Sequence, residues 1–332
     1  MGAQLRVYRR RIRTTQSTKK ITKAMELIAA SRIVKAQARM KAARPYADEL
    51  TRALEALSGD KSLKHPMLSG VESPRRTGIL LITSDRGLAG GYNANAIKQA
   101  NELAARLEAD GREIVRYVIG RKGAAYYNFR RMPLAGVWTG FSEQPNFVDA
   151  RPATETVVAA LTATSDGHVS GGPPASEGVA GGGGEAGIDE LYVVYTQFLN
   201  MVSQTPTPAM VSPAKAASDA AQDETGKKSD EAKDDAKDDA TISYEFEPDA
   251  EGLLAALLPR YISARIFSAL LESAASESAA RRRAMKSASD NATELIKTYT
   301  RLANQARQAE ITQEISEIVG GADALASAGS ED

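Results

Sequence analysis

No cysteine occurs in the 332 residues. Disulfides and thiolate nucleophiles are therefore excluded, and a zinc site would need other ligands. Histidine is nearly absent: His65 and His168 are the two, and His168 lies in a glycine-rich tract. Histidine-based acid–base catalysis or metal binding is disfavoured accordingly. Aromatic residues make up only 5% of the chain, so surfaces for stacking nucleic-acid bases are scarce. No uninterrupted apolar run approaches the roughly 20 residues of a membrane span. The basic N-terminus also lacks the apolar block of a signal peptide. These absences leave a soluble, cytoplasmic-side protein that can still be held at a membrane through partners.

What is present is length, enough for one or two domains with a real core, and two long helical patterns. Formal net charge is zero, yet the charges are unevenly spread. The last helical run, Arg260 to Val319, lies between Pro259 and the pair Gly320-Gly321 and contains neither Gly nor Pro. An unbroken helix of that length would be roughly 90 Å long, too long to be buried in its own chain. Its apolar side reads Ala264, Phe267, Leu271, Ala274, Ser278, Arg281, Met285, Ala288, Ala292, Leu295, Tyr299, Leu302, Ala306, Ala309. The alternating three- and four-residue steps mark a coiled-coil seam. Many seam residues are small, which lets a partner helix come close but stabilises weakly. Ile311, Ile315 and Ile318 keep the steps but leave the register, which alters the local winding.

A second long pattern spans Gln4 to Ser58. Ile21, Met25 and Ile28 step by four and three; Ile33, Ala36, Met40, Ala43 and then Leu50, Leu54, Leu57 continue in kind. Pro45 is expected to kink or divide this helix, and Gly59 to stop it. Before Pro45 stand 13 Lys or Arg and one acid, Glu26. Such a block calls for an acidic neighbour. Nucleic acid is one reading. Against it, the cations interleave with helix-period apolar residues, as in Lys19-Lys20-Ile21 and Lys23-Ala24-Met25.

Between the helices the period changes. Gly78–Thr83 is a short continuous apolar run, as in a buried parallel strand. The loop Asp85–Asn93 and a helix over Ala94–Ala109 follow. Glu113–Ile119 reads as the next strand, then Gly120-Arg121-Lys122-Gly123 and a helix; Val148–Thr164 is helical, and Glu190–Thr196 is a third strand. Strand–helix alternation predicts a small α/β domain with a largely parallel sheet. Thr241–Glu247 alternates and reads as an exposed edge strand. Two inserts, 165–187 and 213–240, are too polar or too rich in small residues to bury surface and read as mobile. The organisation expected is 1–58 as a coiled-coil helix, 76–250 as the α/β domain with its inserts, 257–321 as the second coiled-coil helix, and 322–332 as a tail.

Candidate chemistry is sparse. The glycine loop after the first strand could hold a phosphate at a helix N-terminus. Gly87, Gly90 and Gly91 nonetheless fit neither phosphate-binding glycine pattern, and a tight turn explains them. Asp85-Arg86 lacks a paired base. Glu310, Glu314 and Glu317 form an acidic stripe on one helix rather than a metal cage. Arg281-Arg282-Arg283 suits contact with acidic surfaces. No catalytic, cofactor-binding or metal residue is assigned. In Ala306–Ile315, Arg307 and Gln308 present forked donors suited to a carboxylate cluster on a partner.

These stretches together resemble a known family. Gln4–Ala43 with Lys19-Lys20-Ile21-Thr22-Lys23-Ala24-Met25, the run Thr83–Asn93, Ser276-Glu277 with Ala284–Ala292, and Arg307–Glu314 are similar, in order, to the gamma subunit of F-type ATP synthases. The two inserts resemble those of actinobacterial members. The resemblance implies a long antiparallel two-helix coiled coil built from both ends of the chain, with a central small Rossmann-like α/β domain as its foot. It implies a non-catalytic rotor in the central stalk, turning inside a hexamer of alpha and beta subunits. Further partners would be the epsilon subunit and the membrane c-subunit ring, at the cytoplasmic face of the cell membrane, with no span of its own, no cofactor and no nucleic acid. By position Arg307, Gln308 and Thr312 match the family's contacts with the beta-subunit catch loop. Lys20, Lys23 and Met25 match its contact zone with the beta-subunit levers. Two readings from other classes stay open at this point: a nucleotide-binding α/β enzyme with coiled-coil arms, and a basic coiled-coil nucleic-acid-binding protein.

Overall fold

The computed structural model describes residues 2–58, 66–71, 73–163, 187–214 and 250–328. Most of the inserts 165–187 and 213–240, the strand expected over Thr241–Glu247 and the stop expected at Gly59 lie outside the described residues. Two long helices flank the middle: α1 (Gly2–Ser58) and α6 (Ala250–Ala328).

Both helices run further than their breakers imply. Pro45 lies inside α1, which continues to Ser58. Pro45 and Lys41 are both exposed, so water can take the carbonyl that the proline leaves unbonded. The second helix does not open at Pro259 or at 257 but at Ala250. Leu254 and Leu258 are buried, and that burial outweighs a helix-interior proline cost of about 3 kcal/mol. Nor does α6 stop at Gly320-Gly321; it runs to Ala328, through residues assigned above to a tail. Glycine lowers helix propensity by about 1 kcal/mol but ends a helix only where the chain turns left-handed.

Between the long helices lie α2 (Pro66–Ser69), β1 (Arg76–Ile82), α3 (Tyr92–Ala109), β2 (Glu113–Ile119), α4 (Arg121–Phe129), β3 (Gly136–Trp138), α5 (Phe147–Thr162), β4 (Glu190–Phe198) and β5 (Gln204–Ser212). They form one sheet in the order β3-β2-β1-β4-β5. The first four strands are parallel and β5 is antiparallel to β4. Strands β3 and β5 were not legible beforehand. β3 has three residues, and β5 carries Pro206 and Pro208, which disfavour a strand. A proline cannot donate to a ladder, so β5 occupies the sheet edge.

The sheet is covered on both faces. On one, Ile79, Leu81, Val118 and Val194 pack against α3 and α4. On the other, Leu80, Ile82, Ile119, Leu191 and Val193 meet α5, the C-terminal part of α1 (Leu54, Leu57) and the first turns of α6. Burial on both faces explains why β1 reads as a continuous apolar run. Part of α6, Gly252–Ala322, is long and apolar enough by length and composition to cross a membrane. Its Leu254, Leu258, Ile262, Ile266 and Leu270 are instead buried in this core.

The chain divides into two compact units: Ala30–Arg281, which holds the sheet, and Met1–Ala29 with Arg282–Asp332. In the second, α1 and α6 are antiparallel. Thr22 Oγ1 lies 2.7 Å from Ser289 Oγ, and the Arg11 guanidinium lies 5.8 Å from the Tyr299 ring centre, so the partner number rises as the other falls. Shielded positions on α1 include Leu5, Tyr8, Ile12, Thr15, Lys19, Thr22, Glu26 and Ala29, with Met25 half-buried beside them; on α6 they include Met285, Ser289, Ala292, Ile296, Tyr299, Ala303 and Ala306. Both sets step by three and four. The seam differs from the expected one. Ile21 (58%), Ile28 (53%) and Leu295 (46%) are exposed, while small or polar neighbours occupy the interior. Small residues let the backbones approach and allow the Thr22–Ser289 hydrogen bond; an isoleucine at position 22 or 289 would push the helices apart.

Candidate functional site

In a doubly wound α/β sheet, ligands bind beyond the carboxyl ends of the strands, where the strand order reverses. Here that position is the loop after β1, since β2 and β4 flank β1 on either side. The loop is occupied by the protein itself. Asp85 Oδ2 accepts from the amides of Gly140 (2.8 Å) and Ser142 (3.1 Å), and Oδ1 accepts from the Arg121 amide at the start of α4 (3.1 Å). A carboxylate therefore fills the anion position that a helix N-terminus offers. Gly120 has φ of +101°, and a Cβ there would sit 2.1 Å from the Thr83 carbonyl oxygen, so only glycine fits the crossing. Ala89 and Tyr92 pack on Ala280 of α6, and the Tyr92 hydroxyl donates to the Ser273 carbonyl at 3.4 Å. Burial pushes the Tyr92 phenol far up, so it stays a neutral donor.

The stretch of α6 against this loop is polar yet buried. Ser273, Ser276, Glu277, Ser278 and Arg281 are each at most 5% exposed. Arg281 Nη2 donates to Glu277 Oε1 at 2.7 Å and reaches the Arg86 and Gly87 carbonyls at 3.5 and 3.4 Å. Burial lifts the Glu277 carboxyl to about 7, against the opposing pull of Arg281. This cluster is a buried ion pair of a carboxyl and a guanidinium, with side chains 1% and 6% exposed, and not an acid–base couple. Among the described residues no group of His, Cys, Asp or Glu could hold a metal ion.

The residues singled out for partner contact lie in the other unit. Lys20 and Lys23 are exposed and Met25 half-buried on α1. Lys23 Nζ pairs with Glu26 at 3.0 Å, which draws it along the helix surface. Arg307, Gln308 and Thr312 are exposed on α6, and the Thr312 hydroxyl donates to the Gln308 carbonyl at 2.9 Å. The two groups are not brought together. Residue 22 faces 289, so Arg307 lies about 27 Å along the axis from the level of the lysines. Register also explains the exposed isoleucines near the end. By extrapolation Gly2 lies opposite about Ala309, so α6 beyond that point has no α1 partner. Ile311, Ile315, Ile318 and Val319 are 44–71% exposed there. Sequence reading missed the outward row Ile21, Leu27, Ile28 and Val34 on α1, all above half exposed, because seam and outer face are both apolar.

Comparison with known proteins follows the same lines. A family model described as ATP synthase matches residues 4–325. The ATP synthase gamma chain of Salinispora tropica is 53% identical over 332 residues, all of each chain. That of Streptomyces avermitilis is 51% identical over 329 residues, 99% of this chain and 98% of the other. Among solved structures, a chain of the Euglena gracilis mitochondrial ATP synthase, OSCP/F1/c-ring in rotational state 3, aligns with a TM-score of 0.59 at 15% identity, covering 98% of this chain and 95% of that one. A chain of the Tetrahymena thermophila mitochondrial ATP synthase central stalk and c-ring aligns with a TM-score of 0.53 at 23% identity, covering 81% and 99%.

Proposed function

The chain belongs to the ATP synthase gamma chain family, and from that premise we propose that it is the rotating shaft coupling proton flow through a membrane ring to ATP synthesis and hydrolysis. As a gamma chain it is a subunit of the synthase and not its catalytic site. The observation that carries the mechanism is the coil of Met1–Ala29 with Arg282–Asp332. Its seam mixes Thr22, Ser289, Ala292 and Ala303 with a few larger side chains such as Ile12, Met285 and Tyr299, and its exposed sides hold lysines, arginines and bare isoleucines. Such a rod is stiff along its axis and uneven around it. Turned within a ring of three catalytic sites, it presents a different side to each, and each site then favours a different nucleotide state.

The partners in this reading are the alpha and beta subunits of the hexamer around the coil, with the epsilon subunit and the c-subunit ring at the α/β domain. The complex lies on the cytoplasmic face of the cell membrane. Lys20, Lys23 and Met25 form a contact zone for the beta-subunit levers. Arg307, Gln308 and Thr312 meet the beta-subunit catch loop, where forked donors on an exposed helix suit carboxylates. Exposed ion pairs of this kind are individually weak, near 0–1 kcal/mol, which suits contacts that must break on every turn. An enzyme reading loses its support because the Asp85 carboxylate and α6 fill the strand-end position.

Affinity isolation through a tag on this chain tests the proposal. The expected product is a three-fold ATPase with one copy of this chain. With Arg307→Ala and Gln308→Ala combined, proton-driven synthesis should fall while the complex still forms. Normal synthesis in that double variant would refute the catch-loop assignment.

A further inference from the structure

Glu143, in the loop between β3 and α5, receives guanidinium groups from three separate segments. Arg32 of α1 pairs with its Oε2. Arg86 of the loop after β1 lies 3.6 Å from the same oxygen. Arg281 of α6 lies 3.2 Å from Oε1. The side chains of Glu143 and Arg281 are 14% and 6% exposed, and that of Arg32 is 26% exposed. Arg86, at 72%, is peripheral. Arg281 is tied further to Glu277 and to the carbonyls of Arg86 and Gly87.

We infer that Glu143 is a positioning residue for torque transfer: it locks α1 and α6 at a set angle to the α/β domain. The inference rests on the shaft reading above and adds the joint at which the foot drives it. The physical argument is directional. Apolar contact between a helix and a sheet resists separation but tolerates sliding and rotation, because dispersion and hydrophobic burial have little directionality. A shielded carboxylate that accepts a charge-assisted hydrogen bond from Arg32 of α1, and is ion-paired at 3.2 Å with Arg281 of α6, does not slide without breaking that bond, whose geometry is narrow, or parting the ion pair. Both helices lie against the sheet domain at this level, and Arg32 and Arg281 are the side chains that each sends to the shared acceptor.

The test uses the whole synthase in inverted membrane vesicles, with ATP hydrolysis and ATP-driven proton pumping measured on the same preparation. Glu143→Gln keeps the shape and removes the charge. Assembly and hydrolysis are expected to persist, while protons pumped per ATP fall several-fold; Glu143→Asp should recover most of the loss. A residue that only holds the fold would lower the amount of complex and leave the ratio per assembled complex unchanged, and that result overturns the inference. If Glu143→Gln does not assemble, Arg32→Gln decides: a reduced ratio supports the joint and a wild-type ratio overturns it. Arg86→Ala, at the exposed contact, should leave the ratio at the wild-type value. The wild-type control separates the two claims, because a wild-type chain recovered without any ATPase sinks the shaft reading itself.

Discussion

The helix α6 packs in two different ways along its length. Against the sheet, Leu254, Leu258, Ile262, Ile266 and Leu270 recur every four residues and are at most 1% exposed. Against α1 in the coil, the best-buried residues are Met285, Ser289, Ala292 and Ala303, at 4–8% exposure. A fully buried Leu or Ile is worth about 1.5–3 kcal/mol, whereas a methyl or methylene is worth about 0.8 kcal/mol. One end of the helix is thus anchored by bulk, and the other is held close by small residues with little burial. The coil end leaves Leu295, Ile311, Ile315, Ile318 and Val319 outward, where a partner can meet them. The same helical period therefore serves a core in one place and a surface in another.

Breaking the anchored end should give the largest effect. Ile262→Ala leaves a cavity in a filled site and should cost about 2–5 kcal/mol, read as a lowered urea midpoint. Ile296→Ala, half-buried in the coil, should cost less than half of that; equal losses would end the distinction between the two regimes. Next, Ser289→Leu overpacks the thin seam and should cost about 1–3 kcal/mol. It should strip amide-exchange protection from residues near 15–29 and 285–300 while leaving β1 and β4 protected.

A smaller effect concerns pH at the polar junction. Burial raises Glu277 from 4.5 to about 7, with Arg281, Glu143, Ser142 and Tyr92 as its neighbours. Between those values the folded chain keeps a proton that the unfolded chain has released. The stabilisation from this group is therefore full below about pH 4.5 and lost as pH rises to about 7, with a slope of at most ~1.4 kcal/mol per pH unit. Glu277→Gln should remove that fall, seen as a flatter difference in melting temperature from the parent across the window; an unchanged slope would place the titration elsewhere. The smallest effect belongs to Leu295→Ser. It is 46% exposed, and its stability change should stay within about 0.5 kcal/mol. A larger loss would show that Leu295, not Ile296, lines the seam.

Much of this was legible in residue order. The two long helical patterns became α1 and α6, β2 and β4 begin at their expected residues, and β1 begins two residues early. The rest depended on contacts. Period alone places a seam only to within one residue when the residues on either side are also apolar, so Ile21, Ile28 and Leu295 were assigned inward. β5 was invisible because Pro206 and Pro208 argue against a strand until an edge position is known. The junction of Glu277, Arg281 and Glu143 was hidden because Glu143 is far in the chain from the i,i+4 pair that it meets. Arg281 read both as a seam position and as one cation of a triple; the structure buries it and leaves Arg283 exposed.

By itself the sequence determined the long helices, the alternating middle, the basic first helix and the absence of any thiol or paired catalytic group. These are local or compositional properties: hydrophobic period, backbone breakers and charge are set by neighbours a few residues apart. Tertiary structure alone decided which helix face turned inward, where the proline-bearing strand docked, and that the carboxyl ends of the strands were closed by Asp85 and α6 rather than left open for a ligand. Those outcomes follow from pairing beyond the reach of a few neighbouring residues, as in the β4–β5 ladder, Asp85 with the Gly140 amide and Thr22 with Ser289, and a linear pattern carries no information about which distant surfaces will meet.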